Sequence, residues 1–202
     1  TLSSSSAASD VYKRQGLVQG ACDSPLTELG QNQARQAGAY LKELGIRFGQ
    51  LYSSTQERAS DTLELVSGRT DYTRLKGIKE WNFGLFEAQP EHLQPKFRPG
   101  ATSFEDLFVP YGGEGVDQVG ERMLVTLTEV MEQAGAEPVL AVSHGGAMWV
   151  FYLKIAAQAL DPKVRFGNCA ICHYQYEQGH FKLAEVMDPL TGSVHELSLI
   201  HI

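Results

Sequence analysis

The sequence predicts an α/β sandwich of three layers, in which helices flank a mostly parallel central sheet. Segments with the pattern of a buried strand alternate along the chain with segments that carry a helical apolar period. Val139–Val142 is a continuous apolar run, as expected for a strand that is covered on both faces of a parallel sheet. Val116–Ala134 repeats apolar residues at helical spacing, so one face of this helix can pack on that sheet.

The first half of the chain contributes two predicted helices and a strand between them. Thr27–Leu44 carries apolar residues three and four positions apart, and it is followed by Gly45, a residue type that often ends a helix. Gln50–Ser53 is a short strand candidate. Ser54–Ser67 is predicted to be a helix because its first four residues fit the capping-box pattern.

The second half adds a helix and a hairpin after a long irregular insertion. Residues 68–115 have little periodicity and many glycine, proline and aromatic residues, and we interpret Arg98–Gly115 as a lid over an active site. Ala147–Ala159 is an apolar helix that follows the strand ending at Val142. Cys169–Tyr176 and His180–Val186 are predicted to pair as a hairpin.

Composition and charge narrow the class of protein. The 202 residues are enough for one domain with a buried core. A formal net charge of −7 disfavours nucleic acid as a partner, and an anionic small substrate would need a local basic pocket. Three cysteines and no apolar run near the roughly 18 residues of a membrane span predict a cytoplasmic protein without a membrane partner. The oligomeric state stays open.

Two basic residues follow predicted strands at the start of helices. Arg58 falls in the first turns of one helix, and His144 precedes Gly145 and Gly146 at the start of another. Helix N-termini bind anions, the guanidinium suits two phosphate oxygens, and the glycines leave room for a ligand. The pattern predicts a phosphate site built without metal. From the residues alone, Arg58 as a solvated surface residue and His144 as a packed core residue remain alternatives.

Four sequence blocks follow one another along the chain. They are Gly20–Gly30 with Gln33-Ala34, Leu51–Ser54 with Arg58-Ala59 and Thr62, Leu75–Glu80 with Phe83-Gly84 and Glu87, and Ala141–Gly146. In this order they resemble the blocks of the histidine phosphatase superfamily, the phosphoglycerate-mutase-like enzymes. The resemblance extends from about Gly16 to Asp188, and four blocks in the right order are far more specific than any one of them.

The resemblance implies a cofactor-free mechanism through a phosphohistidine, acting on a small phosphorylated substrate. Arg58 would clamp the phosphate, and His144 would stabilise the transferring group. Glu80 would be the general acid, which requires it to be protonated when substrate binds; the alternative is a loop carboxylate in water. Glu87 would form part of the pocket wall, and Gln19 would reach the phosphate from its loop.

The chain departs from the family at its nucleophile. The family's first block is Arg-His-Gly at the end of the first strand, and the corresponding stretch, Ser3–Lys13, contains no histidine. Neither His92, the first histidine of the chain, nor His173 matches the nucleophile's motif. The resemblance therefore predicts that this chain lacks the first strand of the sheet and is inactive or nearly so.

The two ends of the sequence are unlike the rest. Residues 1–15 are rich in serine and, like residues 190–202, are interpreted as non-native or disordered segments that flank a histidine-phosphatase-like domain over residues 16–189.

Other functions compete with the phosphatase. Cys169, Cys172 and His173 match the C-x-x-C-H pattern of c-type haem attachment, or half of a zinc site, although their alternation favours an ordinary strand. The chain could also be a phosphate-ester sensor without a nucleophile. Within the enzyme class, the resemblance favours a phosphomonoester hydrolase, with phosphoglycerate mutase-type transfer as the alternative.

Overall fold

The structure is a computed structural model that describes residues 2–5, 12, 15–156 and 166–197. Within these residues seven strands form one sheet in the order β3-β2-β4-β1-β5-β6-β7. The first four strands of this order run parallel, and the last three add antiparallel neighbours. The strands are β1 (Leu2–Ser5), β2 (Gln50–Ser54), β3 (Thr73–Leu75), β4 (Val139–Ser143), β5 (Ile171–Glu177), β6 (His180–Asp188) and β7 (Ser193–Glu196).

Helices cover both faces of the sheet, which confirms the predicted three-layer sandwich. The longer helices are α1 (Glu28–Glu43), α2 (Glu57–Ser67), α3 (Val116–Gln133) and α4 (Gly145–Ile155). Successive residues of β4 face opposite layers, as a strand's alternation requires. Leu140 and Val142 belong to the core cluster formed with α1 and α2, whereas Ala141 belongs to the cluster formed with α3 and α4.

The first strand is present, so the prediction that it is missing is wrong. Leu2–Ser5 lies between β4 and β5, parallel to Leu140–Ser143 and antiparallel to Ile171–His173. Strand pairing uses the backbone N–H and C=O groups that every residue except proline provides, so a segment without an apolar pattern can fill this position.

Parts of both terminal segments form strands. Besides Leu2–Ser5, Ser193–Glu196 forms β7 at the edge of the sheet. The non-native origin of residues 1–15 and 190–202, and the domain limits at 16 and 189, stay predictions.

Most predicted elements are confirmed close to their expected limits. Helix α1 begins after Thr27, whose hydroxyl accepts a hydrogen bond from the Gly30 N–H at 3.2 Å. Strands β5 and β6 form the predicted hairpin, and its turn residues Gln178 and Gly179 both have positive φ. Helix α4 starts two residues earlier than expected and ends at Ile155, because its C-cap Ala156 has an extended backbone. The predicted helical continuation is therefore wrong at Ala156, and residues 157–159 lie outside the described part of the chain.

The predicted capping box at Ser54 is wrong. Ser54 is the last residue of β2, and α2 begins only at Glu57. The Ser54 hydroxyl accepts a hydrogen bond from the Gln56 N–H at 3.3 Å, so it serves the turn that joins strand and helix. The first N–H group of α2 is satisfied from elsewhere in the chain, by Asp23.

The insertion between β3 and α3 is held together by its own aromatic residues. Phe83, Phe104 and Phe108 lie edge-on to one another with ring centroids 4.8–5.9 Å apart, and Trp81 packs against all three. The Trp149 indole N–H donates to the Thr102 carbonyl at 2.8 Å, which ties the predicted lid segment to α4. Opening and closing of this segment stays a prediction. In the described part of the chain, no helix is long and apolar enough to cross a membrane.

Candidate active site

Arg58 and His144 lie at the same edge of the sheet. Their strands, β2 and β4, are parallel neighbours, so the helices that follow them begin side by side. Both side chains are buried, with 3% and 1% of their surface exposed. Burial, and then the positive charges of Arg58, Arg122 and Lys79, hold the pKa of His144 well below its usual range. His144 is therefore a neutral imidazole in a positively charged environment at neutral pH.

The Arg58 guanidinium binds the loop formed by residues 19–23. Its two terminal nitrogens donate to the carbonyls of Gly20 and Cys22 at 2.9 and 2.7 Å, and one of them also binds the Asp23 carboxylate at 2.9 Å. The surface alternative for Arg58 is thus wrong, because its side chain is buried and bound by three partners.

Glu87 holds the same loop from its other side. Its carboxylate accepts hydrogen bonds from the backbone N–H groups of Gly20, Ala21, Cys22 and Phe83 at 2.7–3.1 Å. Burial alone would raise the pKa of Glu87, but the hydrogen bonds from Cys22 and from these backbone groups outweigh it and lower the pKa. Glu87 is a fixed carboxylate that shapes the loop.

Glu80 lies against the first turn of α4. Its carboxylate accepts from the backbone N–H groups of Ala147 at 2.7 Å, Gly146 at 3.1 Å and Trp81 at 2.8 Å. Gly146 allows this close approach, because an added Cβ would lie 2.7 Å from a Glu80 oxygen and the carboxylate would have to shift. In this arrangement both oxygens of Glu80 face backbone N–H groups of the protein itself.

Gln56 and Arg122 belong to the site although the sequence analysis missed them. The Gln56 amide donates to the Gly20 carbonyl at 2.7 Å and accepts from the Glu80 N–H at 2.8 Å. These bonds join the loop to the segment Leu75–Glu87, here called the acidic block. Arg122 of α3 donates to the carbonyls of Gly77, Lys79 and Glu80 at 2.7–3.0 Å. No local sequence pattern marks the bonds that these two side chains make to the backbone, since the backbone groups of Gly20, Gly77, Lys79 and Glu80 lie at least 24 positions away.

Arg122 is itself held by an acidic partner. Glu114 binds its guanidinium with both carboxylate oxygens, at 2.8 and 3.0 Å. Glu114 also accepts from the Asn82 N–H at 3.0 Å, and its carbonyl accepts from the Trp81 indole at 2.7 Å. This pair fixes the backbone on which Glu80 is presented.

Gln19 is the first residue of the 19–23 loop, and its side chain contacts Ser24, which directly follows the loop. Its amide donates to the Ser24 hydroxyl at 2.8 Å. Among the described residues, a Cβ added to Gly145 at the start of α4 would meet only the Phe166 carbonyl, at 3.6 Å. All six predicted site residues therefore lie on the 19–23 loop, on the acidic block or at the starts of α2 and α4. They are Gln19, Arg58, Glu80, Glu87, His144 and Gly145.

Comparison with known proteins decides the family. The family model described as histidine phosphatase superfamily (branch 1) matches residues 8–189. The chain belongs to the histidine phosphatase superfamily. It is 28% identical over 176 residues to a metal-independent phosphoserine phosphatase of Arabidopsis thaliana, covering 80% of this chain and 71% of that protein.

Two further comparisons describe what the chain is similar to. It is 32% identical over 145 residues to fructose-2,6-bisphosphatase TIGAR B of Danio rerio; the match covers 68% of this chain and 53% of that protein. Its fold matches the crystal structure of a phosphoglycerate mutase from Bacillus anthracis with a TM-score of 0.76, covering 90% and 89% of the two chains at 23% identity.

The C-x-x-C-H match of this member of the superfamily ends in a strand of the sheet. Cys172 and His173 are successive residues of β5, and His173 binds Glu185 of β6 at 2.7 Å. Cys169 and Cys172 are both buried, and burial raises the pKa of Cys169 to about 12. A buried, protonated thiol is poorly placed to react with a haem or bind zinc, which supports the strand interpretation.

A cavity of about 760 Å³ lies away from this site. It is bounded by the end of α1, the turn before β4 and the second half of β5, and its described lining includes Glu137, Glu177 and Glu185 but no lysine or arginine. A phosphate group would find no positive side chain among these residues, so the cavity is a poor alternative to the Arg58 site.

Proposed function

We propose that the protein is a metal-independent phosphomonoester hydrolase that acts on a small phosphorylated metabolite through a phosphohistidine. The observation that carries this proposal is the placement of buried Arg58 and His144 at neighbouring strand ends, each at the start of a helix. Donors aimed at one point stabilise the charge that a transferring phosphoryl group spreads over its oxygens.

Glu80 is our candidate for the general acid that protonates the leaving alkoxide. Its backbone is fixed by Arg122 and Gln56, which supports a precise position. To act, the carboxyl group must take up a proton and turn from the N–H groups of Gly146 and Ala147 toward the substrate.

The contacts of Glu87 and Gln19 refine the roles that the resemblance implies for them. The four N–H groups bound to Glu87 support a role in shaping the loop, while its place in the pocket wall stays a prediction. Gln19 would have to leave Ser24 to reach a phosphate. Gly145 is proposed to give the phosphate access to the start of α4.

The named relatives support the substrate class. They are a phosphoserine phosphatase, a fructose-2,6-bisphosphatase and a phosphoglycerate mutase. Each of these names refers to a small phosphorylated metabolite. Phosphoglycerate mutase-type transfer is the alternative within the family, and a non-catalytic phosphate-ester-binding module is the alternative outside it. We further propose a cytoplasmic location, which three free cysteines support.

We also propose that this particular chain is inactive or nearly so. The stretch Ser3–Lys13, where the family pattern expects Arg-His-Gly, contains no histidine. His144 is assigned to the transferring group, and His173 is paired with Glu185 in the sheet. No described residue is therefore assigned the nucleophile's role.

Hydrolysis of an aryl phosphate in the presence of a chelator tests the proposal. The chain as it stands is compared with one in which residues 1–15 are replaced by a family-type strand ending in Arg-His-Gly and its following loop. We expect turnover only by the second chain, and loss of that turnover on Arg58→Ala or His144→Ala. Turnover by the unaltered chain would contradict the proposed inactivity. If both chains fold and bind phosphate without turnover, the binding-module alternative replaces the hydrolase.

A further inference from the structure

The carboxylate of Asp23 already occupies the anion-binding groups beside Arg58. One of its oxygens accepts from the Arg58 guanidinium at 2.9 Å and from the Ser24 N–H at 3.1 Å. The other accepts from the backbone N–H of Glu57, the first residue of α2. Three donors from two parts of the chain thus converge on one side chain.

These donors are the kind that bind a phosphate group. A guanidinium and the first N–H of a helix both favour negative charge, and a phosphate has enough oxygens to accept all three bonds. Arg58 is 3% exposed, whereas the Asp23 side chain is 28% exposed. Asp23 can therefore turn toward water while Arg58 stays in place.

We propose that Asp23 is an internal competitor that a substrate's phosphate must displace from Arg58 and the start of α2. This inference rests on the proposed function, because it takes the Arg58 site to be where the phosphate binds. A carboxylate carries one charge, so the competition disfavours weakly charged anions and favours a phosphomonoester dianion, whose second charge and third oxygen strengthen its hold on the same donors. Asp23 thereby sets both the affinity and the selectivity of the site.

The test is a calorimetric titration of the unaltered chain and of Asp23→Asn with inorganic phosphate. Asparagine keeps the shape and an acceptor oxygen but loses the charge, so phosphate should bind roughly tenfold more tightly to this variant. The matched control is Asp61→Asn, which removes an exposed negative charge from α2, the helix that carries Arg58. Its phosphate affinity should stay within about twofold of the unaltered chain. Asp23→Ser provides a second variant should the asparagine fail to fold.

Three outcomes separate this inference from the proposed function. Tighter binding by the Asp23 variants alone supports the competition. If the unaltered chain binds phosphate, and Arg58→Gln weakens that binding, yet no Asp23 variant binds more tightly, the competition is wrong and the proposed site stands. If neither the unaltered chain nor the Asp23 variants bind phosphate, or if Arg58→Gln leaves their binding unchanged, the proposed site fails and the inference fails with it.

Discussion

The backbone N–H of Ala147 donates to the Glu80 carboxylate at 2.7 Å, and this bond joins the acidic block to the first turn of α4. The neighbouring Gly146 N–H donates to the other oxygen at 3.1 Å. The helix start that resembles a phosphate-binding turn is therefore occupied by a side chain of the protein itself. Its partner across the site, the start of α2, is occupied in the same way by Asp23.

Gly146→Ala should break the contact between Glu80 and α4. The new Cβ would lie 2.7 Å from a Glu80 oxygen, so the carboxylate must move, and we expect a loss of about 1–3 kcal/mol in the free energy of unfolding. Gly145→Ala is the control, since its Cβ would meet nothing nearer than 3.6 Å. Urea denaturation of both variants measures the difference, and equal stabilities would show that Glu80 does not depend on this close approach.

Glu87→Gln should destabilise the 19–23 loop. The amide keeps one acceptor oxygen but loses the negative charge that four backbone N–H groups share, which should cost about 1–3 kcal/mol in the free energy of unfolding. Glu91→Gln provides an exposed control with the same chemical change. Chemical denaturation at pH 7 makes the comparison, and a Glu87 variant as stable as the control would remove its structural role.

Arg122→Lys should fail to replace arginine despite keeping the charge. A lysine cannot reproduce the fork that binds Glu114 while donating to three carbonyls, so we expect a loss of about 1.5–3 kcal/mol in the free energy of unfolding. Arg98 pairs with Glu105 and Asp106 at the surface, and Arg98→Lys should cost less than about 1 kcal/mol. Thermal unfolding of the two variants tests this expectation. Unchanged stability of the Arg122→Lys variant would show that the bonds of the guanidinium to Glu114 and the three carbonyls do not stabilise the fold.

The buried imidazole of His144 should make stability depend on pH. Its pKa is lowered by burial and by Arg58, Arg122 and Lys79, so below about pH 6.5 the unfolded chain binds a proton that the folded chain does not. This contribution is fully present above about pH 6.5, and as the pH falls it is lost at up to about 1.4 kcal/mol per unit. Urea denaturation between pH 7.5 and 5 should therefore show a steeper slope for the unaltered chain than for His144→Gln. Identical slopes would mean that folding does not lower the pKa of His144.

Local sequence signals are sufficient for the elements that carry them. The sequence predicts helix α1 within one residue at each end, because its apolar spacing and its terminal residues Thr27 and Gly45 all indicate the same limits. It does not predict strand β1, because Leu2–Ser5 has no apolar alternation and its position depends on pairing with β4 and β5, which lie more than 130 residues away in the chain. The predicted start of α2 is misplaced because Ser54 fits a capping pattern but belongs to β2.

The candidate site divides in the same way. Arg58 and His144 could be predicted to meet, since each follows a parallel strand and such strands end at one edge of the sheet. The bonds made by Gln56, Arg122 and Glu87 could not, because they join these side chains to backbone groups in distant segments. Nor could the occupation of the predicted anion site by Asp23, which requires the loop and α2 to be packed together.

A titration of isotope-labelled protein with inorganic phosphate, followed by nuclear magnetic resonance, tests most directly that the Arg58 and His144 edge is the phosphate site. We predict saturable shifts at the His144 ring and at the Ser24 and Glu57 amides. We predict no shift at Gln175 and Glu177, which line the separate cavity of about 760 Å³. Shifts confined to that cavity, or no saturable shift at His144 and Glu57, would contradict the account.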